Sequence, residues 1–365
     1  MEMLKYTPAV FAVEKNYIIC VRVNEPCVMW VEAGGECYYD QSNGILRSAT
    51  TLHKMTLPQA VLDKSGAYTV CYRRIIERKP YFSNLSDVTR VEFSFRPVPR
   101  ECPKAYHAAD AHGRSESAIK AALAYREIAG GIDLLIMNGD IIDHSGNVEN
   151  FDAIYRIAEG ITGGEIPIVF SRGNHDTRGV CAENIADYTP TRGGYSYFTF
   201  RLGGIWGIVL DCGEDKPDTN AEYGHTICCH DFRKRETEYL LSVVENAENE
   251  YAAPDVDTRI VVCHVPFTQK FEPPFNIEED TYALWTKVIG ESIEPSVMIC
   301  GHLHKMLLSL PGGELDAYGQ SFAVSVTSLM DHKKNLHSGA GYTFGKDSID
   351  VTWLDLDGDA HEYKI

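Results

Sequence analysis

The sequence lacks several features that would place it in a narrow class of proteins. No apolar run approaches the roughly 20 residues that a helix needs to cross a bilayer. The first residues include the acidic Glu2 and no long apolar segment, so we expect no secretory signal and a cytoplasmic location. No internal repeat or low-complexity tract is present, which argues against a repeat architecture.

Paired metal-binding or redox cysteines are also missing. The chain has 11 cysteines but no Cys-x-x-Cys pair, which excludes a zinc knuckle and a thioredoxin-type redox site. Several cysteines, such as Cys20 and Cys263, stand inside apolar runs. We therefore expect buried free thiols in a reducing compartment.

Positive charge is scarce. The chain has 34 Lys and Arg against 52 Asp and Glu, a formal net charge of −18, and no basic stripe. Such a protein repels nucleic acid and anionic membranes at long range, so we expect neither as a partner. Most of this acidity is typical of a solvated surface, and bound divalent cations would offset part of it locally.

The 365 residues suffice for two domains. Residues 1–98 carry short runs rich in β-branched and aromatic residues with turn formers between them, which predicts a small all-β sandwich. Those runs are residues 17–23, 27–32, 67–73 and 91–95. Prolines 97, 99 and 103 resist regular structure, and residues 99–103 are interpreted as a stiff linker.

Residues 104–365 alternate apolar runs with helical patterns, which predicts a second, mixed α/β domain. The predicted helices span residues 115–129, 148–159 and 233–247. The predicted strands span residues 133–137, 166–170, 205–210, 259–263, 296–300, 321–329 and 347–356.

Five short polar clusters follow apolar runs of this second part. In α/β sheets, ligands bind at the carboxyl ends of strands, so we expect the clusters to meet at one site. The clusters are Asp110-Ala-His112, Gly139-Asp140, Gly173-Asn-His-Asp176, His264 and Gly301-His-Leu-His304. A single Gly-Asp or a lone histidine at a strand end is usually structural. All five clusters in this order, each after an apolar run, are very unlikely to arise by chance and therefore indicate a shared site.

The clusters offer three oxygen donors and four imidazoles. Mixed donors of this kind suit Mn, Fe, Zn or similar first-row ions. If Asp140 bridges, two metals receive four protein donors each. A metal pair activates a water and holds the attacking and leaving oxygens of an in-line displacement.

The run Lys104–Ala109 has no β-branched residue and is therefore a weak strand prediction. Asp110 and His112 are accordingly assigned by order and spacing, and His107 is interpreted as structural or incidental.

These motifs together resemble the calcineurin-like metallophosphoesterase family over residues 104–356. The resemblance implies a four-layer α/β/β/α sandwich with two divalent transition metal ions, here preceded by the all-β sandwich. One ion would be held by Asp110, His112, Asp140 and His304. The other would be held by Asp140, Asn174, His264 and His302.

The resemblance also implies roles for residues that do not bind metal. His175 is expected to be the general acid, and Asp143 matches the carboxylate that orients it, with a helix N-cap as the alternative for Asp143. Arg178 is expected to contact the substrate, whereas Arg172 is either a substrate contact or a structural ion-pair partner. His144 replaces an arginine of the protein Ser/Thr phosphatases, which argues against that subgroup; it either faces the substrate or lies at the surface.

The layout of residues 1–98 resembles a fibronectin type III-like domain, as in purple acid phosphatases. Those enzymes have Asp-x-Gly in the first motif and a metal-bound Tyr three residues after the shared Asp. Here His112 and Asp143 occupy those places, so we expect a divalent pair and no purple colour. The stretch Leu210–Lys216 and the surroundings of Arg178 resemble a bacterial branch of the superfamily.

The resemblance implies hydrolysis of phosphomonoesters or phosphodiesters of small molecules. A metal-bridging hydroxide would attack phosphorus in line while His175 protonates the leaving group. The alternatives are a metal-dependent nuclease, which the acidic composition disfavours, and a non-catalytic scaffold, which would require lost ligands.

Substrate specificity is expected to depend on loops 179–195, 214–233 and 268–281. The β-sandwich either shapes one wall of the cleft or is an independent module, and the short linker favours close packing.

Overall fold

Two large β-sheets lie face to face, and a smaller sheet belongs to the N-terminal part of the chain. The protein is described here by a computed structural model that covers residues 2–365. The large sheets have nine and six strands, and the smaller sheet has five. No helix within the described residues combines the length and apolar character needed to cross a membrane.

The nine-stranded sheet has a parallel centre with antiparallel strands on both sides. In spatial order its strands are Ala360–Lys364, Ile349–Leu354, Ala340–Phe344, Lys104–Ala108, Leu134–Asn138, Ile168–Ser171, Ala9–Val13, Asn16–Arg22 and Leu52–Pro58. The strand Lys104–Ala108 forms despite its lack of β-branched residues, because paired strands flank it on both sides. Its setting in the sheet outweighs its weak intrinsic propensity.

The six-stranded sheet has different neighbours on its two faces. Alternate residues point to opposite sides of a strand: Val209 packs in the core between the sheets, and Ile208 packs under helices Cys229–Glu245 and Glu279–Val288. Its strands, in spatial order, are Phe198–Leu202, Ile205–Leu210, Thr258–Cys263, Val297–Cys300, Ala323–Thr327 and Met306–Ser309.

Helices Ser115–Ala129 and Asp152–Thr162 cover the outer face of the nine-stranded sheet. The resulting order of helices, sheet, sheet and helices confirms the predicted four-layer sandwich. The predicted helix at 148–159 begins as the 3₁₀ turn Val148–Phe151, and the helix predicted at 233–247 spans Cys229–Glu245.

The N-terminal part is rich in antiparallel β-structure, as predicted. Its five-stranded sheet contains Thr89–Ser94, Ala67–Glu77, Cys27–Ala33 and Glu36–Tyr39, with Asn84–Leu85 paired to the second of these. The strands Ala9–Val13, Asn16–Arg22 and Leu52–Pro58 instead extend the nine-stranded sheet, through the pairing of Phe11 with Ile168. The domain boundary at residues 99–103 stays a prediction.

The remaining elements are short. The helices are Gln59–Ser65 and Ile185–Tyr188, and the 3₁₀ turns are His175–Thr177, Ala182–Asn184, Ala221–Tyr223 and Ala247–Asn249. A π-helical turn spans Ile289–Ile293. Two small hairpins pair Gln41–Ser42 with Ile45–Leu46 and Leu329–Asp331 with Leu336–Ser338.

Candidate metal centre

The seven proposed metal ligands follow strands of both large sheets. Asp110, Asp140 and Asn174 each come two or three positions after a strand of the nine-stranded sheet. His264 and His302 follow neighbouring strands of the six-stranded sheet. Because parallel neighbours end at the same edge, these ends meet between the two sheets.

The structure brings these side chains close together. Donor atoms of Asp110, His112 and His304 lie within 4.8 Å of one another, as do those of Asp110, Asp140 and His264. His304 Nε2 is 3.2 Å from Asp110 Oδ1, and His264 Nε2 is 3.2 Å from Asp140 Oδ2. The two carboxylates thus lie at the centre of a ring of imidazoles.

Asn174 and His302 complete this cluster. Asn174 Oδ1 is 3.2 Å from His302 Nδ1. The His302 ring meets the His264 ring edge-on, with 5.4 Å between centroids. All seven residues therefore belong to one contiguous group of donors.

Five of the seven have a left-handed backbone conformation. The φ angles are 56° at Asp110, 43° at His112, 52° at Asp140, 68° at His302 and 51° at His304. Such a conformation costs a residue other than glycine on the order of 1–3 kcal/mol, and it persists where the surroundings impose it. These strained positions turn the side chains toward a common point.

Several polar atoms that face this point have no hydrogen-bond partner within the described chain. They are Asp110 Oδ1, both ring nitrogens of His112, and His264 Nε2, all on buried side chains. An unpaired buried polar atom costs about 1–3 kcal/mol. Carboxylate and imidazole donors together suit divalent first-row ions, so these residues fit a metal centre.

The charges of the cluster also favour bound cations. Burial acts to lower the pKa of His264, but Asp140 and Asp110 outweigh burial and raise this pKa to about 10. Burial lowers the pKa of His112 and that of His302 to about 4, so both rings are neutral near pH 7. The carboxylates draw positive charge to the centre while neutral imidazole nitrogens stay available as ligands.

Asn138 orients His264 and connects the two sheets. His264 Nδ1 donates to the Asn138 backbone oxygen at 2.7 Å, so Nε2 is the ring nitrogen that faces the carboxylates, where a metal would replace its proton. The Asn138 amide donates to the Ile299 oxygen at 3.0 Å and to His107 Nε2 at 3.1 Å. Burial lowers the pKa of His107 to about 3, so its neutral ring accepts this bond. His107 is therefore structural.

Two further residues, neither of them predicted from the sequence, support the centre. Asp176 is buried and accepts the backbone N–H groups of Asp140 at 3.0 Å and of Gly173 at 2.8 Å. Burial, followed by the charge of Asp140, raises the pKa of Asp176 to about 7. Ser328 Oγ donates to Asp110 Oδ2. Asp176 carried a signal, as the last residue of Gly-Asn-His-Asp, whereas Ser328 carried none.

His175 lies beside the donors, with its ring 4.6 Å from that of His112. Its Nδ1 donates to the Asp143 backbone oxygen at 2.9 Å, and its Nε2 accepts from Arg178 Nη1 at 3.0 Å. The Asp143 carboxylate, which we expected to orient His175, is 63% exposed and lies 3.3 Å from His112 Nδ1. Asp143 is in irregular chain, so its alternative role as a helix N-cap is wrong.

Carboxylates hold both arginines near the centre. Arg178 Nε donates to Glu214 Oε1 at 3.0 Å, and Arg178 Nη2 donates to Glu214 Oε2 at 2.8 Å and to Asp215 Oδ1 at 3.2 Å. Arg172 Nε lies 2.7 Å from Asp211 Oδ2. Of the two roles expected for Arg172, this contact matches the structural ion pair.

The loops supply the remaining contacts. His144 is exposed, and its Nδ1 accepts the Gly146 N–H at 3.0 Å, so it lies in a surface turn. Asp215 Oδ2 is 3.5 Å from Asn174 Nδ2 and thereby links Arg178 to the donors. From the sequence, Glu214 and Asp215 belong to the stretch Leu210–Lys216 and to a predicted specificity loop, but nothing in their spacing marks them as partners of Arg178.

Solved structures resemble this chain at low sequence identity. A purple acid phosphatase from yellow lupin (Lupinus luteus) seeds has a TM-score of 0.60 and 13% identity, covering 98% of this chain and 73% of that chain. GAP50, the anchor in the inner membrane complex of Plasmodium, has a TM-score of 0.45 and 13% identity, covering 73% of this chain and 90% of that chain. The first likeness shows the fold. No curated protein matches the chain.

The family model for calcineurin-like phosphoesterases matches residues 103–306. This stretch is more than half of the chain and contains all seven donors described above. Divalent metal ions serve this family, in agreement with the donor types of the cluster. The chain belongs to the calcineurin-like phosphoesterase family and is a metal-dependent phosphoester hydrolase.

Proposed function

We propose that this protein hydrolyses phosphomonoesters or phosphodiesters of small molecules at a binuclear centre. The observation that carries the proposal is the cluster of buried donors around Asp110 and Asp140, several of them without a hydrogen-bond partner among residues 2–365. Two divalent ions bound there supply Lewis acidity and an activated water for in-line attack on phosphorus. One ion would be held by Asp110, His112, Asp140 and His304, the other by Asp140, Asn174, His264 and His302.

His175 is the general acid of this proposal. The Asp143 backbone oxygen fixes its Nδ1–H, so Nε2 is the atom that delivers a proton to the leaving oxygen. In the structure Arg178 donates to Nε2. When an ester oxygen of the substrate takes the Arg178 N–H groups, Nε2 becomes free to carry the proton. Asp143 acts here through its backbone, and its exposed carboxylate lies next to His112.

A His175→Ala variant tests the proposal. We expect its metal content to match that of the wild type, because His175 is not counted among the ligands. Turnover of esters with poor leaving groups should fall by about 10²-fold or more, and esters with good leaving groups should lose less, because they need less protonation. Metal analysis and a series of leaving groups of graded pKa measure both effects.

His144→Ala is the matched control, since His144 is exposed in the neighbouring turn. This variant should keep both metal content and turnover. Loss of metal in His175→Ala would show that His175 is a ligand, as its position within 4.8 Å of His112 and Asp140 permits. An equal loss of turnover for good and poor leaving groups would contradict the acid role.

A further inference from the structure

A cavity of about 790 Å³ opens beside the metal centre. Arg178 lies between the cavity and the centre, because its side chain lines the cavity and also donates a hydrogen bond to His175 Nε2. The volume is typical of small-molecule sites, which measure roughly 300–1,000 Å³. An ester bound as proposed above, with its leaving oxygen at His175, has room for its alcohol on this side.

A second cavity touches the centre through His302 and Asp215, shares Glu214 with the large cavity, and measures only about 10 Å³. Phe271 and Phe275 form part of its wall. A void of this size holds about one water molecule, so it does not admit an alcohol.

Carboxylates neutralise both arginines that line the large cavity. Arg172 Nε lies 2.7 Å from Asp211, and Arg178 Nη2 lies 2.8 Å from Glu214 and 3.2 Å from Asp215. Within the described chain, no other Lys or Arg lines the cavity. An anionic leaving group therefore meets no unpaired cation in this cavity.

Two glutamates add negative charge to the cavity wall. Glu183 is exposed and has no ion-pair partner within residues 2–365. Glu222 is also exposed, and its carboxylate lies 3.2 Å from Lys216 Nζ, a cation that Asp215 shares at 3.3 Å. The rings of Tyr223 and Phe232 line the same cavity. Each ring already lies near a cation of this chain, Lys216 Nζ at 5.7 Å from the Tyr223 centroid and the Arg172 guanidinium at 5.3 Å from that of Phe232, as expected for aromatic faces.

We infer that this cavity binds the alcohol part of the substrate and selects a cationic amino alcohol over neutral and anionic alcohols of similar size. The inference rests on the proposed hydrolysis and adds the substrate class. Negative charge from Glu183 and Glu222 attracts the cation. The aromatic walls cover its apolar groups, and the paired arginines leave an anion without a partner.

Choline phosphate and 3,3-dimethylbutyl phosphate test this inference, because they differ only in a positive nitrogen in place of a carbon. In the metal-loaded protein at low ionic strength we expect kcat/KM to be about threefold to tenfold higher for choline phosphate, as for partly exposed charge pairs. The double variant Glu183→Gln, Glu222→Gln should bring this ratio close to one, through a higher KM for choline phosphate.

Glu92→Gln is the control, since Glu92 is exposed on the distant strand Thr89–Ser94. It should keep the ratio. Calorimetric titration with free choline provides a second readout that needs no turnover. Choline should bind the wild type and the control, and it should bind the double variant several times more weakly.

The results separate this inference from the proposed function. Hydrolysis of 4-nitrophenyl phosphate with equal kcat/KM for the two test esters would contradict the inference alone. Faster turnover of 4-(phosphonooxy)butanoate, an alkyl ester of similar leaving-group pKa whose alcohol is an anion, than of the dimethylbutyl ester would also contradict it. Failure to hydrolyse any ester with any divalent ion would contradict the proposed function as well.

Discussion

Close approach of the backbone to two central carboxylates explains why glycines stand next to several proposed ligands. A Cβ atom on Gly173 would lie 2.2 Å from Asp140 Oδ1, and one on Gly301 would lie 2.6 Å from Asp110 Oδ2. Only glycine lets the backbone pass the two central carboxylates at these distances. The glycines of the motifs Gly-Asn-His-Asp and Gly-His-x-His are therefore needed for close packing around Asp110 and Asp140, in addition to the polar side chains that the motifs supply.

Glu236 is a buried carboxyl outside the centre with incomplete hydrogen bonding. Its Oε1 accepts the Asp211 N–H at 2.7 Å, and its Oε2 has no partner within the described residues. Burial, together with the charge of Asp211, raises the pKa of Glu236 well above its usual value. Ionisation of this residue therefore opposes folding.

The raised pKa gives the free energy of unfolding a defined pH dependence. Above the unfolded-state pKa of about 4.3, the unfolded chain releases the Glu236 proton first, so stability falls as pH rises toward the folded-state pKa. Glu236→Gln stays neutral. It should melt higher than the wild type at pH 8, with a smaller difference near pH 4.5. Thermal denaturation across this range measures the change.

Glu238→Gln is the control for this prediction, because Glu238 is exposed on the same helix. It should shift the melting temperature little at either pH. A difference between Glu236→Gln and the wild type that is the same at both pH values would contradict the account of Glu236.

The sequence marks the side chains that come together at the centre, but it does not mark the contacts that support them. Asp140 is marked by its position after an apolar run, and chain order alone separates it from an ordinary Gly-Asp. Asn138, by contrast, is a strand residue whose partners, Ile299 and His107, come from other strands. Asp143 was expected to orient His175 by its carboxylate, whereas its backbone oxygen does so. The spacing of residues in a motif does not show whether the side-chain carboxylate or the backbone oxygen of Asp143 is the acceptor.

The strand Ala9–Val13 connects the N-terminal part to the centre of the sandwich. All five of its residues are buried. Phe11 pairs with Ile168, and its ring meets the Phe170 ring edge-on at 6.2 Å. The neighbouring strand Ile168–Ser171 leads into the loop that carries Asn174. The N-terminal strands thus support the sheet on which the centre is built.

Phe11→Ala should destabilise the protein by about 3–5 kcal/mol, because it leaves a cavity in the shared core. Phe82→Ala is the matched control. Phe82 is 87% exposed, so its removal should change stability by less than about 0.5 kcal/mol. Denaturant unfolding measures both changes, and a small effect of Phe11→Ala would contradict the supporting role.

The N-terminal part offers no residue to the walls of the two cavities beside the centre, whose lining residues all lie between 172 and 302. We therefore expect it to act through stability and not through substrate choice. A fragment that starts at residue 104 lacks Ala9–Val13, one of the two strands paired with Ile168–Ser171, and should unfold more readily. Full stability of that fragment would contradict this expectation.

Strands were easier to predict than their partners. The runs at residues 17–23 and 67–73 are strands, as predicted, but they belong to different sheets. An alternating pattern shows which face of a strand is buried and not which strand lies beside it. The strand Lys104–Ala108 shows the reverse case, in which neighbours on both sides impose a strand on a sequence with weak propensity.

The whole protein is acidic, and two of its carboxylates are buried together between the sheets. Without metal, burial acts to raise the pKa of Asp110 and that of Asp140, but the neighbouring imidazoles, His264 foremost, and hydrogen bonds outweigh burial and lower both. A ligand that binds only the folded state adds stability, about 4 kcal/mol when its concentration is a thousandfold above Kd. Chelation should therefore lower the melting temperature by several degrees, and Mn²⁺ or Zn²⁺ should restore it.

Ca²⁺ is the control ion, because it prefers oxygen ligands and larger coordination numbers. It should restore the melting temperature less than Mn²⁺ or Zn²⁺ does. An unchanged melting temperature after chelation, in protein from which metal analysis shows the ions to be removed, would contradict the stabilising role of the metals.

The number of metal ions per chain tests the binuclear centre most directly. Elemental analysis of protein saturated with Mn²⁺ or Zn²⁺ should give close to two ions per chain. Asp140→Asn, which weakens the donor that the two proposed sites would share, should give fewer than one, whereas Asp257→Asn, at an exposed ion pair with Arg100, should keep two. One ion per wild-type chain, or two in Asp140→Asn, would contradict the account.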